Sequence, residues 1–141
     1  MRSPGSLPEH IVQFHDGPAT LAHRLAEFVA QGFARGEAVV VIATAEHRMA
    51  TEGRLVALGV DLGAAAAEGR YLPFDAREIL ERLLLDGRPD RARFEAAVGA
   101  VIEQVMRTHH QIRAFGEMVG LLWSDGQSEA AIALEDLWNE L

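Results

Sequence analysis

Hydrophobic positions change their spacing several times along the chain, and each change marks an element. Residues 11–14 form a short apolar run closed by His15, Asp16, Gly17 and Pro18, which predicts a first strand. Leu21, Leu25, Phe28, Val29 and Phe33 then recur at helical spacing. They predict a helix that opens near Pro18 or Ala19 and stops at Gly36. Residues 38–43 read AVVVIA without polar alternation, so a second strand covered on both faces is expected, as in the middle of a parallel sheet. Thr44 is placed to cap the next helix, with Glu46 and His47 in or near its first turn, and Gly59 ends that helix beyond Leu55 and Leu58.

Residues 60–69 are an alanine-rich turn or short helix, and residues 70–74 predict a third strand. Asp75 leads out of it into a helix around Ile79, Leu80, Leu83 and Leu84, which breaks at Asp86-Gly87-Arg88-Pro89. Phe94, Val98, Val101, Ile102, Val105 and Met106 predict one long helix running towards His109. Residues 112–115 are the fourth strand candidate, closed by Gly116 and Glu117. Residues 118–123 continue as helix to a break at Asp125-Gly126. A last helix presents Ala131, Leu134, Leu137, Trp138 and Leu141 on one side. Strands separated by helices imply crossover connections, hence an α/β fold of three layers, α/β/α, around a mostly parallel sheet. No repeat or internal linker interrupts the pattern. Residues 1–9 read as a flexible arm, and residues 10–141 as a single domain.

Composition narrows the function. With 141 residues, 49% of them hydrophobic, the chain can bury one sizeable core. A formal charge of -8 disfavours a nucleic-acid partner, whose phosphates need a concentrated positive surface. There is no cysteine, so disulfide and thiolate chemistry are excluded. No signal-type start and no long apolar run is present, so no membrane partner and a cytoplasmic location are expected.

Open parallel sheets bind ligands outside the C-terminal ends of their strands. That rule gathers His15 with Asp16, Thr44 with His47, Asp75, and Glu117 into one candidate region, with His47 and Glu117 bordering the same pocket. The loop after the first strand, residues 15–20, has one glycine, a proline and no lysine; all 13 basic residues of the chain are arginines. A phosphate cradle needs several backbone N–H groups and a lysine, so ATP hydrolysis is excluded, and GxGxxG is absent as well. Arg24 or Arg48 remains available for some other anion. A small metal- or His/carboxylate-dependent enzyme using His47, Asp75 and Glu117 is the alternative, but no HxH, HxxxH or HExxH spacing supports it, and no cofactor or metal is expected. No complete nucleophile–base set is present, and a structural adaptor is a third reading. Arg113 is a plausible partner for Glu117, His10 an anchor for the N-terminal arm, and Phe14, Phe74 and Phe115 a candidate apolar wall.

HIVQFH at 10–15, GEAVVVIATAEHR at 36–48, residues 71–75, DGRPDRARF at 86–94, RAFGEMVGLLW at 113–123 and LEDLWNEL at 134–141 follow one another in an order that is similar to the MEDS family, named for methanogens, methylotrophs and the dichloromethane-responsive regulator. The resemblance implies a RecA/KaiC-like domain without a working phosphate loop, which senses small molecules such as hydrocarbon derivatives and does no catalysis. It implies a ligand site at His10 and Phe14, Thr44 and His47, Asp75, and Gly116 with Glu117. His15 stands where the family often has tyrosine, which would alter ligand polarity. The family pattern continues past the last helix into a further apolar strand, whereas this chain ends at Leu141, so the sheet is expected to lack its usual C-terminal strand. Output would then pass through a homo-oligomer, a dimer above all, or a separate kinase or regulator.

Overall fold

The computed structural model describes residues 18–141. The expected first strand, the loop around Asp16 and Gly17, and the candidate residues His10, Phe14 and His15 lie outside the described residues. Helix α1 is described over Pro18–Ala34. Its end is closed by Gly36 at φ 76°, a left-handed conformation that glycine adopts without a Cβ penalty. There the Gly36 N–H donates to the Phe33 carbonyl and the Glu37 N–H reaches back to Gly32, which satisfies two of the helix's last carbonyls.

Strand β1, Ala38–Ala43, is buried at every position, as an uninterrupted apolar run requires. Helices α2 (Ala45–Ala57) and α3 (Leu62–Ala67) lead to strand β2, Tyr71–Asp75. After helix α4 (Ala76–Leu83), the chain reaches strand β5, Ile112–Gly116, through a small hairpin and a long helical segment. Both β2 and β5 run parallel to β1, giving the order β2-β1-β5. Pro73, which has no N–H for a ladder, sits in β2 at an edge of this three-stranded sheet.

The pleat divides the core in two. Val39, Val41 and Phe115 face a cluster with Leu25, Val29, Leu55 and Tyr71, so α1, α2 and α3 cover that side. Val40, Ile42 and Ala114 face the other cluster with Ile79, Leu83, Phe94, Val98, Leu134 and Trp138. Helices thus flank a parallel sheet on both faces, the α/β/α layering of RecA/KaiC-like domains.

Three expectations are corrected. The helix after Asp75 stops at Leu83, and Leu84 opens a two-residue strand, β3 (Leu84–Leu85), paired antiparallel with β4 (Arg88–Pro89). Asp86 and Gly87 between them have φ 54° and 80°, positive at both central positions as the twist-matched hairpin turn demands. The single long helix is instead α5 (Arg91–Phe94), a π-turn over Glu95–Gly99, and α6 (Ala100–Thr108). The Ala100 N–H there donates to the Glu95 carbonyl, one residue further back than in an α-helix. Met106, counted in the apolar stripe, is 55% exposed because Val105 beside it takes the inward position. Helices α7 (Met118–Ser124) and α8 (Ser128–Asn139) complete the described chain.

Arg113 is the third correction. Its guanidinium pairs with Glu37 rather than Glu117, at 3.0 Å from Nε and 2.9 Å from Nη2 to the same carboxylate oxygen. It also donates to the Phe28 carbonyl at 2.8 Å and lies 4.8 Å from the Phe28 ring centroid. Both ends of the ion pair are buried, so removing one alone strands a charge and costs about 3–5 kcal/mol. Register explains the miss. Residue 113 enters β5 beside Val39, whereas Glu117 leaves the strand at its other end.

Candidate functional site

All three strands of the sheet end on the same side, because they are parallel. Ala43 lies opposite Asp75 and Ile42 opposite Gly116, so Thr44, Asp75 and Glu117 emerge together. The Glu117 N–H donates to the Ile42 carbonyl at 3.0 Å and carries the β1–β5 ladder one step past the strand.

Thr44 adopts an extended conformation and caps α2, its Oγ1 accepting the His47 N–H at 3.3 Å. In the usual reciprocal cap, a Glu three residues into the helix would reach back to the cap residue's N–H. Here that third residue is His47, and the carboxylate comes from Glu117, 73 residues away. The Thr44 N–H donates to Glu117 Oε1. His47 Nδ1 lies 2.8 Å from Oε2 and 3.1 Å from Oε1. The helix N-terminus favours the negative charge placed there. Side-chain exposure is 22% for His47 and 12% for Glu117, so the pair is sheltered yet reachable from solvent.

The remaining candidates are placed differently. Asp75 caps α4, and its Oδ1 accepts the N–H groups of Arg77 at 2.9 Å and Glu78 at 3.1 Å. Gly116 lies under the Trp138 ring, where a Cβ would come within 3.0 Å of Cη2, so a side chain there would press the indole back by a few tenths of an ångström. Phe74 and Phe115 do not share a wall. Phe115 packs among Val41 and Leu25 on one face of the sheet, while Phe74 packs on the opposite face. There Phe74 lines an apolar crevice of about 10 Å³ with Ile42, Ile79, Val98 and Val101, part of whose floor is the π-turn. A separate open groove of about 220 Å³ between α1 and α2 is bordered by His23, Glu27 and Arg54, and by none of the expected site residues.

Two polar residues hold pairings that spacing in the sequence does not mark. Glu37 forms the buried pair already described. Glu52 accepts the Tyr71 hydroxyl at 2.7 Å. Burial first, and then this hydrogen bond and the charge of Glu52, push the Tyr71 hydroxyl well above its ordinary pKa. An acid immediately before a wholly apolar strand was the available signal for Glu37; Glu52, on an amphipathic helix, offered none.

Among the described residues, no three or more His, Cys, Asp or Glu side chains are grouped to hold a metal ion. No helix among them is long and apolar enough to cross a membrane. Asp75 is engaged in capping its own helix and, among the described residues, makes no hydrogen bond to His47 or Glu117. The arrangement gathers a hydroxyl, an imidazole and a carboxylate at the ends of two adjacent strands.

No curated protein and no solved structure matches the chain. One family profile does, over residues 9–141: MEDS, the MEthanogen/methylotroph, DcmR Sensory domain. Because that match spans nearly the whole sequence, the chain belongs to the MEDS family of non-catalytic sensory domains.

Proposed function

We propose that the chain is a small-molecule receptor module whose ligand sits over the C-terminal ends of β1 and β5. The observation that carries this reading is the Thr44–His47–Glu117 constellation, drawn from two strand exits into one sheltered polar cluster. Asp75 and Gly116 form its margin, and the expected contributions of His10, Phe14 and His15 belong to the same proposal. The ligand class is a hydrocarbon derivative, in keeping with the family and with the apolar residues Ile42 and Phe74 close behind the polar groups. Output passes through self-association or a separate signalling protein such as a kinase or regulator, with no direct nucleic-acid contact, as the charge of -8 favours.

Calorimetry with short-chain alcohols, amines and chlorinated alkanes tests this on the full chain. At least one compound is expected to bind, and His47→Ala is expected to weaken it by about tenfold, the worth of one hydrogen bond to a polar ligand. Binding that His47→Ala leaves unchanged would place the ligand elsewhere. The groove beside His23 and Arg54 then becomes the site to examine.

A further inference from the structure

The hydrogen bonding around Glu117 restricts what His47 can present. A carboxylate only accepts hydrogen bonds. Glu117 already takes the Thr44 N–H, and the contact with His47 Nδ1 therefore requires the hydrogen to lie on Nδ1. In the neutral imidazole, one nitrogen carries the hydrogen and the other is a bare lone pair. When the ring is neutral, His47 is thereby held as the Nδ1–H tautomer, the reverse of the form an isolated histidine ring favours in water. Its backbone is equally committed, the N–H to Thr44 and the carbonyl to the Thr51 hydroxyl. Nε2 alone has no partner among the described residues, and the side chain is 22% exposed.

We propose that His47 Nε2 is the recognition atom of the strand-end site, and that it selects uncharged ligands bearing an O–H or N–H donor. This rests on the receptor reading above and specifies the chemistry of that site. A ligand carrying only acceptors, such as an ether or ketone, would set a lone pair against a lone pair. An anion would meet the same lone pair and the Glu117 carboxylate directly behind it. Glu117 acts here as a positioning residue: it touches no ligand, and it decides which face of the imidazole chemistry the ligand sees.

Two measurements on the full chain test it. With histidine labelled in ¹⁵N at pH 8.5, about two units above the ordinary imidazole pKa, long-range proton–nitrogen spectra report which nitrogen of His47 holds hydrogen. The expected pattern is a protonated Nδ1 and a bare Nε2, with reversion towards Nε2–H in Glu117→Leu. An Nε2–H ring, or a ring with both hydrogens, in the unsubstituted protein overturns the inference whether or not any ligand binds. The second measurement follows the Nε2 resonance during titration with straight-chain alcohols from methanol to butanol and with their methyl ethers. Alcohols are expected to shift it and to bind about tenfold more tightly than the matched ethers. Equal binding of alcohols and ethers at His47 overturns the donor requirement and leaves the receptor reading standing. No response at His47 to either series overturns the recognition role, and if calorimetry also finds no binding the receptor reading falls with it.

Discussion

Without its carboxylate, position 117 would leave the Thr44 N–H facing no acceptor in a sheltered corner of the sheet and deprive His47 Nδ1 of its partner. Glu117→Ala is therefore expected to destabilise the fold by about 2 kcal/mol, with Glu117→Gln losing less because an amide oxygen still accepts. Urea unfolding of the two variants checks the order. Tyr71 makes a second residue-level prediction. Its hydroxyl pKa is raised in the folded state, so folding favours the protonated phenol. The resulting stability is complete below the unfolded phenol's pKa of about 10 and is lost as pH climbs from there towards the folded value. The chain has one tyrosine and no lysine, so few other groups titrate in that window. Stability measured from pH 9 to 11 should fall in the unsubstituted protein and stay nearly flat in Tyr71→Phe, which starts about 1 kcal/mol lower for want of the Glu52 hydrogen bond. At this scale the sequence disclosed the residues better than their pairings. Thr44, His47 and Glu117 were legible because each follows an apolar run and strand exits of a parallel sheet converge. The bonds of Arg113 to Glu37 and of Tyr71 to Glu52 depend on register and helix phase, which spacing within one element does not reveal.

Among the elements, the segment from Arg91 to Thr108 departs most from its sequence pattern. Apolar residues recur along it at nearly helical spacing, so the one-residue surplus at Glu95–Gly99 leaves no trace in periodicity. The surplus has a packing role. It keeps Phe94, just before the turn, and Val98, within it, directed into the same core. Deleting Ala96 should restore regular α-helical hydrogen bonds and yet destabilise the protein, because one half of the segment would turn by about 100° relative to the other. Phe94, buried to 2% exposure, would leave its place, and a lower thermal midpoint for the deletion variant is the expected result. The β3–β4 hairpin was hidden for a different reason. Leu83 and Leu84 extend the helical stripe that precedes them, and two-residue strands are too short to alternate. Only the Asp86-Gly87 pair points to the turn, and in the sequence it marks a break without fixing the strands beside it. Strand β1 was plain because nothing but a strand buried on both faces explains AVVVIA.

For the molecule as a whole, the apolar face of the last helix proves to be committed internally: Leu134, Leu137 and Trp138 pack into the chain's own core. Any contact between copies therefore has to use other surface. Met49 and Val56 on α2, Leu58 at its end, and Trp123 and Ile132 on α7 and α8 are each about half or more exposed. Sedimentation at tens of micromolar is expected to show a species near twice 15.4 kDa, more abundant as added salt screens the charge of -8 on each copy. A single species at 15.4 kDa under all salt conditions would remove self-association as the route of output. The strand order has a further consequence, for the ribosome rather than for the folded protein. β1 lies between β2 and β5, yet β5 is translated about 70 residues after it, so one edge of the most apolar segment in the chain waits unpaired while everything between is made. At ordinary elongation rates that wait lasts several seconds, long enough for AVVVIA strands on neighbouring nascent chains to find each other. Nascent chains stalled just before Ile112 should accordingly be retained by chaperones or aggregate, and release from both should coincide with emergence of Ile112–Gly116 from the exit tunnel.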